Sequence, residues 1–172
     1  LGKVLADSYD AFQYLLDTIK DHSEWAVKIY GGSEALKSSI EKTSSRLQAI
    51  SKEISKKTAG VAYLLKKKSE TTLAEKVDDE KGRRLGEAFN NLSLYASEAK
   101  WGELSPRELT GKEKPMIFNG IFLVAKVKLA QFTQAVENLK RGLVHLQWEV
   151  SQVGPFPPYN FTNLSPAKGA ER

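Results

Sequence analysis

From Phe118 onward, apolar side chains recur at alternating steps of four and three: Phe118, Phe122, Ala125, Leu129, Phe132, Val136, Leu139, Leu143, Leu146, Val150 and Val153. A spacing of 3.5 keeps one helical stripe facing a partner when helices wind around each other in a left-handed sense. The series predicts a coiled-coil helix over 116–152. The N-terminal region carries the same spacing more loosely, through Leu5, Phe12, Leu15, Ile19, Ala26 and Ile29, then Leu36, Ile40, Leu47, Ile50, Ile54, Val61 and Leu64. Polar residues hold four of its seam positions: Ser8, His22, Thr43 and Lys57.

The interruptions divide the chain into arms. The step from Ile29 to Leu36 preserves the phase across Gly31-Gly32, which leaves two readings open. Either one helix kinks there, or the glycines, each costing about 1 kcal/mol inside a helix, mark a reversal with Ser33 capping the next helix. Beyond Leu65 the spacing shifts toward steps of four at Leu73, Val77, Leu85, Phe89 and Leu92, with no glycine or proline between Val61 and Lys81, so a bend or short hinge is expected near Ser69. Pro106, Gly111 and Pro115 mark a true loop after Trp101. The predicted arms are 3–30, 33–68, 72–100 and 116–152. Rods of these lengths imply an all-α fold: an elongated antiparallel bundle or coiled coil of three to four long helices. Residues 1–153 form that bundle as one domain, and 154–172 an extended proline-rich tail. In the tail, Phe156, Tyr159 and Phe161 are candidate docking residues, packing on the chain's own helices or on a partner.

Composition removes many chemistries. The 172 residues contain no cysteine, so thiol nucleophiles, disulfides, cysteine-ligated zinc and iron–sulfur clusters are excluded. The longest apolar run, Ile121 to Ala125, falls far short of a membrane span. The start Leu1-Gly2-Lys3 has no apolar leader core, which fits a processed or excised chain. Location stays open between soluble and peripherally membrane-bound.

The two histidines, His22 and His145, lack the neighbours of a zinc-protease or di-iron pattern, and structural roles at helix contacts are expected of them. Gly111-Lys112 is not a phosphate loop, and Glu75, Asp78, Asp79 and Glu80 lack the glycine and ligand alternation of a calcium loop. No catalytic residue, cofactor or metal is predicted, and the chain is expected not to be an enzyme. Asn91, Asn160 and Asn163 each begin an Asn-x-Ser/Thr triplet, which decides nothing about compartment.

Charge is more informative. The net charge is +5, and the stretch Lys52–Lys68 alone carries six lysines (Lys52, Lys56, Lys57, Lys66, Lys67 and Lys68) against one acid, Glu53. Residues 70–81 reverse the balance. Steps of four and ten place these lysines around the rod as a collar, which Arg83 and Arg84 could enlarge. Two functions follow. The first is a non-enzymatic scaffold or adaptor that binds other proteins and self-associates into a homo-oligomer. The second is a peripheral membrane domain whose collar contacts anionic lipid. A helical rod with a basic collar resembles, in outline and charge alone, the BAR-type membrane modules, and the resemblance implies lipid-surface contact without assigning residues. Nucleic acid is disfavoured, since Tyr63 is the one aromatic in the basic run.

Overall fold

The computed structural model describes residues 19–54 and 58–162, with Gln13 and Leu16 ahead of them. The first strand, β1 (His22–Tyr30), is followed by helices α1 (Glu34–Thr43), α2 (Ser45–Ile54) and α3 (Ala59–Ser93). Strand β2 (Glu98–Trp101), a single helical turn α4 (Arg107–Thr110) and strand β3 (Met116–Ala125) come next. Helix α5 (Leu129–Leu143) and strand β4 (Glu149–Phe156) complete the chain before a short turn at Tyr159–Phe161. The strands form one sheet in the order β2-β3-β1-β4, every neighbouring pair antiparallel. This is the split βαβ, ferredoxin-like arrangement, with its first crossover enlarged to three helices.

The all-α expectation is therefore wrong: the described chain is α/β, not a helical bundle or coiled coil. The physical reason lies in parity. A step of four residues keeps a side chain on one face of a strand as well as of a helix. Phe118 and Phe122 therefore fit both periods, and in β3 the full alternation Met116, Phe118, Gly120, Phe122, Val124 faces the helices. β1 hides a similar alternation, Trp25, Val27 and Ile29, behind the heptad reading of Ala26 and Ile29. Of the long C-terminal series, the stretch Leu129, Phe132, Val136, Leu139, Leu143 is helical. Val150 and Val153 belong to β4.

The Gly31-Gly32 pair separates β1 from α1, and Ser33 stands at the N-cap position without a side-chain capping bond. Gly31 is required by packing, because a Cβ there would lie 2.2 Å from the Trp148 ring. The indole Nε1 of Trp148 donates to the Gly32 carbonyl at 2.9 Å, so this junction is pinned from β4's side. The hinge expected near Ser69 is absent: α3 is one continuous helix of 35 residues, a rod of about 52 Å.

One face of the sheet carries the core. Trp25, Val27 and Ile29 lie opposite Phe122, Gly120 and Phe118. Against them α5 packs Phe132, Val136 and Leu143, and the C-terminal half of α3 packs Leu85, Phe89 and Leu92. Gly120 makes room for two rings, since a Cβ there would sit 2.6 Å from Phe122. The rings of Phe122 and Phe132 are 5.3 Å apart, and those of Phe89 and Trp101 stack at 4.6 Å.

On the other face, residues 157–162 form a strap. Glu24, buried in β1, accepts from the Asn160 backbone N–H at 2.9 Å and from its side-chain amide at 2.6 Å. Lys100 of β2 donates to the Asn160 carbonyl at 2.7 Å, and its ammonium lies 4.8 Å from the centre of the Phe161 ring. Phe161 is thereby buried, whereas Phe156 and Tyr159 are exposed.

Candidate interaction surface

The enlarged crossover supplies the surface most distinct from the core. In α1, Leu36 and Ile40 are one turn apart and turn inward; in α2, Leu47, Ile50 and Ile54 repeat at three and four. These short stripes lie along α3, where Leu73 and Val77 meet Leu36 and Leu47 in the buried cluster. The α1–α2 corner is tied to α3 by Lys76, whose ammonium donates to the Ser44 hydroxyl at 3.1 Å.

The three helices do not close completely. A cleft of about 540 Å³ opens between α1, α2 and α3, floored by Leu47, Ile54 and Leu73 and rimmed by Glu41, Lys52, Lys66 and Glu70. A second cleft of about 390 Å³ shares Glu41, Glu70 and Leu73 and runs on along α3 past Ala74 and Val77 to Asp78. The two clefts adjoin at Glu41, Glu70 and Leu73, and the apolar residues beneath them, Leu47, Leu73 and Val77, are themselves buried in the core cluster. Toward the start of α3 the groove gives way to apolar side chains in solvent: Val61, Tyr63 and Leu64 are 45%, 66% and 66% exposed.

The structure distributes the basic residues unequally. Lys52 and Lys66 both line the cleft, whereas Lys67 and Lys68, exposed one residue and two residues further along α3, do not. Lys56 and Lys57 lie outside the described residues. Arg83 and Arg84 sit more than four turns away on α3, so the collar does not include them. They are occupied by their own helix: Arg83 and Arg84 both bind Glu80 at 2.7 Å, and Arg83 also binds Glu87. Hydrogen bonds from Arg83, then Arg84, hold the Glu80 carboxyl down at about 2, well below its ordinary 4.5, against the opposing cost of burial. Asp78 pairs with Lys81 at 3.4 Å.

Of the remaining sequence candidates, His22 and Lys112 have structural partners. His22 caps the start of β1, its ring nitrogens bonded to the Lys20 carbonyl at 2.8 Å and the Ser97 hydroxyl at 2.9 Å. His145 is exposed on the turn after α5. Lys112 pairs with Glu149 and lies 5.6 Å from the centre of the Tyr30 ring; the hydrogen bond to Glu149 raises its pKa. Among the described residues no group of three or more His, Asp or Glu side chains could hold a metal, and no helix is long and apolar enough to cross a membrane.

Sequence reasoning missed the groove because it assigned Val61 and Leu64 to a buried seam. The available signal was the apolar pair at 61 and 64 beside a lysine run, with no matching apolar partner in α1 or α2 beyond Ile54.

These features define an α/β protein in which a split-βαβ sheet carries a three-helix excursion with an open groove. The comparisons with known proteins give it a family: residues 1–163 match the family model Gas vesicle synthesis protein GvpL/GvpF, and the chain belongs to that family. It is similar in fold to the crystal structure of the gas vesicle protein GvpF from Anabaena sp. PCC7120, at 19% identity and a TM-score of 0.65, with 95% of this chain and 63% of that one covered. It is also similar to gas vesicle protein GvpF from Microcystis aeruginosa, at 15% identity and a TM-score of 0.58, covering 94% and 63%. The chain thus spans 63% of the length of each of these structures. No curated protein matches it. The family and its α/β fold overturn the coiled-coil, all-α and lipid-binding descriptions, and nothing supports the BAR-like resemblance.

Proposed function

We propose that this chain is a non-catalytic protein-binding component of gas-vesicle synthesis, contributing surfaces that bring other proteins together. The observation that carries this reading is the match of residues 1–163 to a family described by that process. Two features of the structure support it. The described titratable side chains with shifted pKa values are surface ion-pair partners, such as Glu80 with Arg83 and Lys112 with Glu149. The α1–α3 arm presents apolar side chains and lysines together, a combination suited to association.

Self-association belongs to the same reading, through a symmetric contact that uses one surface twice. The test is reconstitution. Cells given a gas-vesicle gene set should form vesicles only when the protein carrying this chain is present, with yield following its amount as for a stoichiometric component. Unchanged vesicle formation in its absence would contradict the reading. A solution mass equal to one chain at all concentrations would remove self-association alone.

A further inference from the structure

We propose that the free edge of β2 is a self-association site: a second copy of this chain pairs with it antiparallel about a two-fold axis at Ala99, joining the two sheets edge to edge. This names a partner for the protein-binding reading above and rests on it.

The edge is open among the described residues. β2 ends the sheet on one side and pairs with β3 alone. The Gly102 N–H, just past β2, donates to the Asn119 carbonyl of β3 at 2.8 Å. Backbone groups of an antiparallel strand point alternately to its two sides. Those of Lys100 therefore turn inward with Gly102, and those of Ala99 and Trp101 turn outward, where no described strand lies.

Register then selects the occupant. Opposed residues of an antiparallel pair share a face, so a symmetric joint that keeps both sets of helices on one side must have a residue on its axis. Centring on Glu98 or on Lys100 sets like charges against each other, and centring on Trp101 leaves both unmatched. Centring on Ala99 sets Glu98 opposite the second copy's Lys100, and Lys100 opposite its Glu98. These are the closely spaced positions, about 4.5 Å between Cα atoms, that flank a hydrogen-bonded pair. Glu98 and Lys100 are exposed, and neither enters an ion pair among the described residues. The Lys100 ammonium hydrogen-bonds a neutral group, the Asn160 carbonyl, which leaves its charge uncompensated. The opposite edge of the sheet offers no such match, because Glu149 is the one charged residue of β4.

The space above the edge is clear. Trp101 stacks on Phe89 of α3 at 4.6 Å and is still 55% exposed. At 3.6 residues per turn, Gly82, Gly86 and Ser93 lie within about 60° of Phe89. They are turned away from the flank of α3 that meets α5 through Ala88 and Leu92. A Cβ at Gly82 or Gly86 would meet nothing within 4 Å. The second copy's α3 can therefore lie alongside, and the joint covers the exposed part of both indoles.

The test measures the solution mass of the intact chain by sedimentation from micromolar to millimolar concentrations, with amide exchange at Ala99 and Trp101 read alongside. The native chain should pass from one copy to two, and both amides should slow as it does. Glu98→Lys and Lys100→Glu, each alone, should weaken the dimer about tenfold or more, since each turns both cross-strand pairs into like charges. An equimolar mixture of these two variants should restore pairing as a mixed dimer, because each chain then supplies one sign of charge. Ala99→Pro should abolish pairing by removing an outward N–H, a substitution that an edge strand tolerates, so the melting temperature should stay close to the native value.

A single copy throughout, with both amides exchanging freely, would overturn the proposal. So would a dimer unaffected by Glu98→Lys and Ala99→Pro, or a mixture that stays single while the native chain pairs. Protection of both amides at every dilution would overturn it too, by giving the edge to a segment of the same chain. If the chain stays single while vesicle formation still requires the protein, the edge joint falls and the protein-binding reading stands; if vesicles form without the protein, that reading fails whatever the mass shows.

Discussion

The sheet core and the helical arm spend their apolar residues differently. Where β1, β3 and α5 meet, Val27, Ile29, Phe118, Phe122, Phe132 and Val136 are completely buried. In the arm, Leu36 and Leu47 are buried, yet Tyr63 and Leu64 at the start of α3 are two-thirds exposed. A fully enclosed ring gains both its transfer from water and its packing contacts, whereas an exposed one gains neither. Stability is thus concentrated in the first region. The second leaves apolar surface in solvent, the kind of patch that the proposed protein-binding role would use.

The largest expected effect is in the core. Phe132→Ala should cost about 3–5 kcal/mol of unfolding free energy in denaturant titrations. Next comes the junction and the strap. Gly31→Ala drives a methyl into the Trp148 ring and should cost about 1–3 kcal/mol. Glu24→Ala strips the Asn160 backbone and side-chain amides of their acceptors and should cost about 1–3 kcal/mol, with faster proteolysis after Pro158. A loss at Phe132 no greater than at Tyr63 would erase the contrast between the two regions.

A smaller effect follows from Glu80. Its carboxyl is held below its ordinary value, so the ion pairs with Arg83 and Arg84 contribute stability that is complete above about pH 4.5. That contribution is lost as pH falls toward about 2, where the folded-state group takes up its proton. Glu80→Gln should lower stability at neutral pH by about 1 kcal/mol or less and flatten the acid limb of the melting curve. Smallest of all, Tyr63→Ser and Lys66→Glu/Lys67→Glu, at exposed positions, should change stability by about 0.5 kcal/mol or less in the same titrations.

What the sequence revealed follows the same division. α5 was legible because Phe132, Val136, Leu139 and Leu143 recur at a helical period with charged residues between them. The helical character of α1, α2 and most of α3 was legible for the same reason, though α3 was split at a hinge that does not exist. The strands were not legible. β3 is covered by helices on one face and partly by the strap on the other, so its run Ile121–Ala125 lacks the apolar–polar alternation that marks a half-buried strand. β1 shows that alternation at Trp25, Val27 and Ile29, but a step of three from Ala26 to Ile29 extended the helical pattern through it. The lysine run was visible as composition. The groove beside it was not, because a cleft depends on where three helices diverge, and that is set by packing between segments distant in the chain.

Amide hydrogen exchange of the intact chain tests this division most directly. β1 and β3 should exchange only with global unfolding, while the first turns of α3, where Val61, Tyr63 and Leu64 are exposed, should exchange orders of magnitude faster. Uniform protection across α3 and the sheet would contradict this contrast.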